Sequence, residues 1–451
     1  MKRSFGMLML AAGCATETVP AGVSEVDGPT WHGEIAPLLA EHCGSCHTEG
    51  ALAGFLPLLD YPVAAPMADV IALQAATREM PPFMADDGAD CENPWGFMHD
   101  PRLSNQEIQL LADWAAADAP LGDPQTAAPL PAPPSFGLED GNQELVPPNP
   151  YVTSLENGAD EFICVTLDLG LEETGYLTGI EVVPDFDEVV HHATVSIDRD
   201  GSTAALGGDD NMYPCFGGTM SGASTFIAAW IPGAPPTVPP HGASWVVEPG
   251  ARLVVQLHYH PTGIDQADQT RYRLRWADGP TPDRANVTLI GNDQRQMPDG
   301  SGLQPGEADD GGPRFLIPAN SPDHTERIRW DVPDNIPEAS VWLVLNHMHY
   351  IGAGMKVWVE HADGSEDSCL LNTPRWDFNW QQGFYYDAAA GAAPTLKGGD
   401  TLWLECSYDN TLDNPGVRRA LSENGLEDPQ DVTIGESSLD EMCMVGLGVV
   451  F

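Results

Sequence analysis

The hydrophobic positions of this chain change period once, and the change divides it. Between about Trp31 and Asp123 the apolar residues recur at helical spacing. In GEIAPLLAEH, Ile35, Leu38 and Leu39 share one side, and LSNQEIQLLADWAAADAP sets Ile108, Leu111 and Trp114 together behind a capping box of Ser104 and Glu107. The proline-rich stretch GDPQTAAPLPAPPSFG that follows reads as a stiff linker. From about Gln143 onward, short runs such as RLVVQLHYH, VWLVLNHMHYIG and DTLWLECSY are separated by Gly, Pro, Asp and Asn, the punctuation of strands. Neither heptads nor solenoid repeats appear. This second part predicts two β-sandwiches in tandem, with a seam near DGPTPDR at 278–284.

Composition narrows the function. With 451 residues and 42% hydrophobic content, the chain has material for two or three globular domains. Its 67 acidic residues against 19 basic ones give a formal charge of −48, a surface that repels phosphate backbones and anionic lipid, so nucleic acid is excluded as a partner. Adaptation to salt explains such a charge more simply than attraction of a basic redox partner. The start, MKRSFGMLMLAAGC, has basic residues, a short apolar run and small residues before Cys14. Residues 1–20 are read as a secretory signal, similar to a bacterial lipoprotein signal in which Cys14 would be acylated, although Ala11 stands where Leu is preferred. No other run approaches the ~18 apolar residues of a membrane helix. Export to the periplasm or cell surface is expected, with membrane contact only through a lipid anchor at Cys14. Most of the nine cysteines of an exported chain should be bonded, to one another or to a cofactor.

Two patterns carry chemistry. The first is Cys43-Gly44-Ser45-Cys46-His47, the attachment signature of a c-type haem, in which two thiols join the vinyl groups and His47 binds the iron. A chance disulfide or a thioredoxin-like pair is the plainer alternative, but the motif follows a short amphipathic helix in an exported, helical segment. A thioether is the usual sixth ligand of an electron carrier. Met80, in REMPPF, is the candidate, with Met67, Met84 and Met98 as competitors that could all be plain core.

The second pattern is histidine on strand-like runs: His191 and His192 in DEVVHHATV, His258 and His260 in QLHYHPTG, His347 and His349 in NHMHYIG, with His241 nearby in a proline loop. Residues i and i+2 of a strand share a face about 6.6 Å apart, so His347 and His349 continue a row of Val341, Leu343 and Leu345 and can pinch one metal ion. Neighbours such as His191 and His192 should point to opposite faces. Singly, each would be a hydrogen-bonded core or surface residue, and Met442 alone would be core. Their bunching, out of only 13 histidines, favours metal.

Taken in order, VVHHATV, FIAAWIPGAPPTVPPHGASWVVEPGARLVVQLHYHPTG, NHMHYIGAGMKVWV, and LECSYDN followed by DEMC make residues 145–451 resemble the copper type II, ascorbate-dependent monooxygenases, the peptidylglycine α-hydroxylating and dopamine β-monooxygenase family. The resemblance implies two jelly-roll-like sandwiches with one copper on each. His191, His192 and His258 would hold the electron-transfer copper; His347, His349 and Met442 would hold the one where dioxygen reacts. It implies hydroxylation of an activated C–H bond in a small organic or peptide-like substrate. Imidazole suits copper in both oxidation states and thioether sulfur favours Cu(I). The resemblance also pairs Cys406 with Cys443, and position in the first sandwich pairs Cys164 with Cys215. Cys91 and Cys369 remain, and a bridge between them across domains is conjecture. Two departures stand out: Leu345 replaces the arginine with which peptide-hydroxylating members grip a carboxylate, and Met444 replaces an asparagine. Both count against peptide amidation.

The expected fold class is thus multidomain: a small all-α cytochrome c-like domain, then two tandem all-β jelly-roll-like sandwiches. The boundaries read as 27–125 for the cytochrome c-like domain, 126–144 for the linker, 145–282 for the N-terminal sandwich and 283–451 for the C-terminal one. One haem c and two copper ions are expected per chain, with electrons from an ascorbate-like reductant or a redox protein entering through the haem. A non-catalytic copper and haem electron-transfer lipoprotein is the alternative.

Overall fold

The structure, a computed structural model, describes residues 28–451 apart from 87, 89–90, 133–136, 154–159, 187–188, 261–264, 307–308, 310, 388–392 and 438. The signal segment and Cys14 lie outside the described residues.

A single nine-stranded sheet runs through the β part. One half of it consists, in spatial order, of Gln143–Leu145, Arg271–Trp276, Gly175–Val183 and Ala243–Val247. The other half consists of Asp283–Gly291, Met444–Val450, Ala339–His347 and Gly383–Tyr385, with Thr395–Leu396 also on Ala339–His347. The halves join where Asp283 and Arg284 pair in parallel with Ala243 and Ser244, at the foot of the DGPTPDR seam. Each half is faced by a five-stranded antiparallel sheet. The first contains Glu161–Asp168, Arg252–Tyr259, Val190–Asp198 and Ser224–Trp230 side by side; the second contains His324–Asp331, Thr401–Tyr408 and Gly352–Glu360. Val, Ile, Leu and aromatic residues supply the inner faces because branched and flat side chains fill a pleated surface well. Arg252–Tyr259 is buried along nearly its whole length, which explains why its sequence reads as a continuous apolar run.

Two large cores result, and they share strands. Leu343 and Leu345 point into the first core with Val195, Leu253 and Leu274, whereas Val341 and Val344 of the same strand enter the second. A register shift between Val341 and Leu343 puts them on different faces. Val341 therefore leaves the row on which the sequence had placed it.

The expected fold class is overturned. The molecule is mostly β, with mixed sheets and short helices, and the described residues form no clear all-α cytochrome domain. The helices before the β part are Ala36–His42, Tyr61–Ala64, Ala68–Ala76 and Asn105–Ala116, the last with 12 residues. They enclose a small core of Trp31, Ile35, Leu39, Leu111 and Trp114. The capping box forms, Glu107 N donating to Ser104 Oγ and Ser104 N to Glu107 Oε2. Helical periodicity was a sound guide to these pieces, but it said nothing of the chain between them. Residues Phe83, Met84, Ala85 and Phe97 belong to the second β core, and Cys91 is bonded to Cys369. Backbone bonds tie Asp86 to Asn372 and Met98 to Tyr385. The tandem sandwiches are likewise corrected: the parallel ladder at Ala243 fuses them through one sheet.

All three disulfides form, Cys164–Cys215, Cys406–Cys443 and Cys91–Cys369. The last, left as conjecture by the sequence, staples the N-terminal segment to the strand Ser368–Thr373.

Candidate metal centres

His191, His192 and His258 come together through strand register. Val190–Asp198 pairs antiparallel with Arg252–Tyr259, matching Val190 to Tyr259 and then His192 to His258. His191 is the extra residue between those pairs, a β-bulge. A bulge suspends strict alternation, so two adjacent imidazoles can serve one centre. His192 Nδ1 lies 3.0 Å from His191 Nδ1 and 3.3 Å from His258 Nδ1. Three such nitrogens cannot all be satisfied by hydrogen bonds to each other. Around a metal with bonds of about 2.0 Å, tetrahedral ligand atoms would stand roughly 3.3 Å apart. The trio therefore fits a metal ion, and among the described residues it is the group whose His, Cys or acidic ligand atoms converge, all within 4.8 Å.

Its surroundings keep His191 and His192 neutral. Burial pushes His191 down to about 3, with the charges of His258 and His260 adding to the effect. His192, half-buried, is driven well below its ordinary value by burial, then by His258 and His191. Phe162, the cross-strand partner of His258, stacks on it at 4.3 Å between ring centres. Burial alone would raise Asp160, yet contacts with His258 and His260 hold its carboxyl below the usual range.

The second group is assembled differently. His347 ends the strand Ala339–His347, and His349 lies two residues beyond it in a turn. Their rings stand 5.2 Å apart and nearly perpendicular. His347 Nδ1 bonds Gln381 Oε1 at 2.7 Å and His349 Nδ1 bonds the Asp440 carbonyl at 3.0 Å. With Nδ1 donating in both, each ring presents Nε2 as its free acceptor. Burial lowers both, His347 to about 3.

Met442 is 5% exposed and lines the same cavity as His347 and His349. Cys443 anchors it through the disulfide to Cys406. Gly291, at positive φ, permits that approach, because a Cβ there would collide with the Cys443 carbonyl oxygen. Glu441 adds a clamp: its buried carboxyl accepts from the backbone N–H of His349, Ile351 and Met442 at 2.8, 3.2 and 2.9 Å. Burial pushes Glu441 up to about 8 against those donors.

Both groups open on one cavity of about 850 Å³, walled by Phe226, Trp230, Leu289, Leu345 and Met444. Phe378 spans the interval, stacked on His191 at 5.3 Å and edge-on to His349 at 6.2 Å. It rides on a short turn, Phe378–Trp380, capped by Asp377. The N-terminal segment braces that turn: Asp377 N contacts Met84 Sδ and Gln382 Nε2 donates to the Pro82 carbonyl.

Cys43 and Cys46 are the free thiols among the described cysteines. They lie on one turn, with His47 N donating to the Cys43 carbonyl. Burial, then Cys46, pushes the Cys43 thiol up to about 12. His47 Nδ1 meets the Leu56 carbonyl at 3.1 Å, leaving Nε2 for a ligand bond. Two unbonded thiols and an oriented imidazole fit covalent haem. Met80 is placed elsewhere, 38% exposed, on a cavity of about 410 Å³ that Cys43, Cys46 and His47 do not line.

Asp160, Phe378, Gln381 and Glu441 escaped the sequence reading. Asp160 is one acid among many, and Phe378 and Gln381 sit in a loop without periodicity; only the adjacency of Glu441 to Met442 offered a signal.

No protein-family model matches the chain, and no curated protein does. Among solved structures, similarity is found to the infectious bursal disease virus VP2 subviral particle, at 8% identity over 70% of this chain and 81% of that one, with a TM-score of 0.10. The infectious bursal disease virus Gt strain gives 10% identity over 70% and 82%, with a TM-score of 0.09. Likenesses of this size carry no argument about fold or function.

Proposed function

We propose that the chain is an exported copper-dependent monooxygenase that hydroxylates an activated C–H bond of an organic substrate, with electrons entering through a haem c held at Cys43, Cys46 and His47. One observation carries this reading. Two histidine groups of different donor type, separated by 89 residues or more in sequence from His258 to His347, meet across one apolar cavity with Met442 beside the second. His191, His192 and His258 would hold one copper, and His347, His349 and Met442 the other. Bound copper would supply one-electron chemistry and the activation of dioxygen. The chain's own residues do the rest. Asp440 and Gln381 fix the tautomers of His349 and His347, and Glu441 holds the Met442 backbone against the His349 turn. Leu345 and Met444 make the wall apolar where a carboxylate grip would be needed, which favours a substrate without an acid at that end.

The thiol of Cys46 faces the loop after strand Ser224–Trp230, where a Cβ on Gly233 would lie 4.0 Å away. That strand pairs Trp230 with Ala193, next to His192. This placement supports electron entry on the side of the three-histidine group. Three disulfides suit an oxidising compartment such as the periplasm or cell surface.

The test is metal and haem quantitation on protein matured with ample copper, followed by oxygen uptake coupled to product formation from a panel of substrates. Two copper ions, one haem and coupled turnover are expected. Copper and haem without any oxygen chemistry would instead indicate an electron-transfer protein; absence of copper would sink the reading.

A further inference from the structure

We propose that Asp160 is the positioning residue of the three-histidine centre, a carboxylate that fixes His258 with Nδ1 turned toward the metal and is itself braced by His260; the inference rests on the copper reading above. Strand register puts it there. Glu161–Asp168 pairs antiparallel with Arg252–Tyr259, matching Phe162 to His258 and Glu161 to Tyr259. One step further along this register, Asp160 stands opposite His260 and diagonal to His258, within reach of both.

The atoms agree. Asp160 Oδ1 lies 2.7 Å from His260 Nδ1, and Asp160 Oδ2 lies 3.1 Å from His258 Nε2. The second contact is close but off the N–H axis, so His258 Nε2 is buried without an aligned hydrogen-bond partner. The attraction of the carboxylate for the Nε2–H dipole, not a well-aimed hydrogen bond, is therefore what selects the ring's orientation. The Phe162 stack blocks one face of the ring, and His192 faces the other nitrogen at 3.3 Å. A proton on Nε2 faces the carboxylate, and the Nδ1 lone pair is left for the metal. This is the carboxylate–imidazole–metal relation that orients ligands and raises their basicity.

His260 also gains a role. Its side chain is 45% exposed and its Nδ1 is taken by Asp160, so it is no fourth ligand. It holds the carboxylate at the angle that reaches His258. A fixed negative charge next to a ligand favours the more highly charged ion, so Asp160 should also lower the reduction potential of this copper.

The full chain, Asp160→Asn and His260→Gln provide the test, with Cu(II) as the probe and melting temperature as the control for folding. Three readouts apply: Cu(II) affinity by chelator competition, the EPR hyperfine splitting with midpoint potential, and the His258 tautomer by imidazole ¹⁵N NMR on metal-free protein. Asp160→Asn is expected to weaken copper at this centre by roughly 10–100-fold, shift the hyperfine splitting, raise the potential and reduce the Nε2–H population of His258. His260→Gln, at an exposed position, should move the same quantities less, and it carries the test if Asp160→Asn does not fold. Unchanged affinity, spectrum, potential and tautomer in both variants would overturn the proposal while leaving the copper reading intact. A native chain that binds no copper here, with His258 in the Nδ1–H tautomer, would overturn both.

Discussion

The two histidine groups solve the same problem by different means. His191, His192 and His258 are gathered by backbone, a bulge and a cross-strand match within one sheet, with Asp160 left to orient one ring. His347 and His349 stand at a strand end, and their orientation depends on Gln381, Asp440 and Glu441, which arrive from distant parts of the chain. A centre gathered by register keeps its ligands together even when a rim side chain is lost. A centre built from borrowed contacts can be tuned, or spoiled, by residues that never touch a ligand. That division suits a site that only passes electrons and one that must admit a substrate.

The contrast can be broken most completely at the ligands. His192→Ala should abolish copper binding at the three-histidine centre and leave the second intact, so copper per chain falls by half; loss of both ions would show that the centres are not independent. Met442→Ala should keep the three-histidine EPR signal and remove turnover. Next in size, Glu441→Ala leaves three buried N–H groups without an acceptor and should cost about 3 kcal/mol in denaturant unfolding; a neutral result would mean that the clamp is dispensable. Gln381→Ala frees His347 Nδ1 and should weaken copper at the second centre by about 10–100-fold, with the first unchanged. Equal weakening at both would erase the distinction drawn here. A last test varies the pH of the metal-free protein. His191 and His347 have folded values near 3, against about 6.5 when unfolded. Below about 6.5 the unfolded chain binds protons that the folded one refuses, so stability present above that pH should fall progressively toward pH 3. A melting temperature flat over that window would contradict neutral, buried imidazoles.

Sequence was informative where one residue type sufficed. The clustered histidines and the Cys-x-x-Cys-His motif stand out because Cys and His are rare in this chain, whereas the pairing of Cys406 with Cys443 is what the resemblance implies and that of Cys164 with Cys215 rests on position. The short helices and the capping box followed from spacing alone. What stayed hidden depends on pairing. Strand alternation sets adjacent His191 and His192 on opposite faces, and only the resemblance joins them in one centre, because a bulge exists only relative to a partner strand 66 residues away. The parallel match of Asp283 with Ala243 is made by backbone atoms, which every sequence shares, so the fusion of the two β halves left no trace in composition. The stretch between Pro81 and Met98 lacks any period, and its role as a strap on the second core comes from contacts nearly three hundred residues away, such as Gln382 with Pro82.

The joint at Ala243 and Asp283 has a mechanical consequence. Swinging one β half away from the other would strip that ladder and pull Leu343 and Leu345 from the core they enter across the divide. The molecule has a spine where a two-lobed enzyme would have a hinge. The cavity's rim is left to the peripheral loop Gly217–Ser221, where Gly217 and Gly218 occupy left-handed backbone and Met220 is 70% exposed.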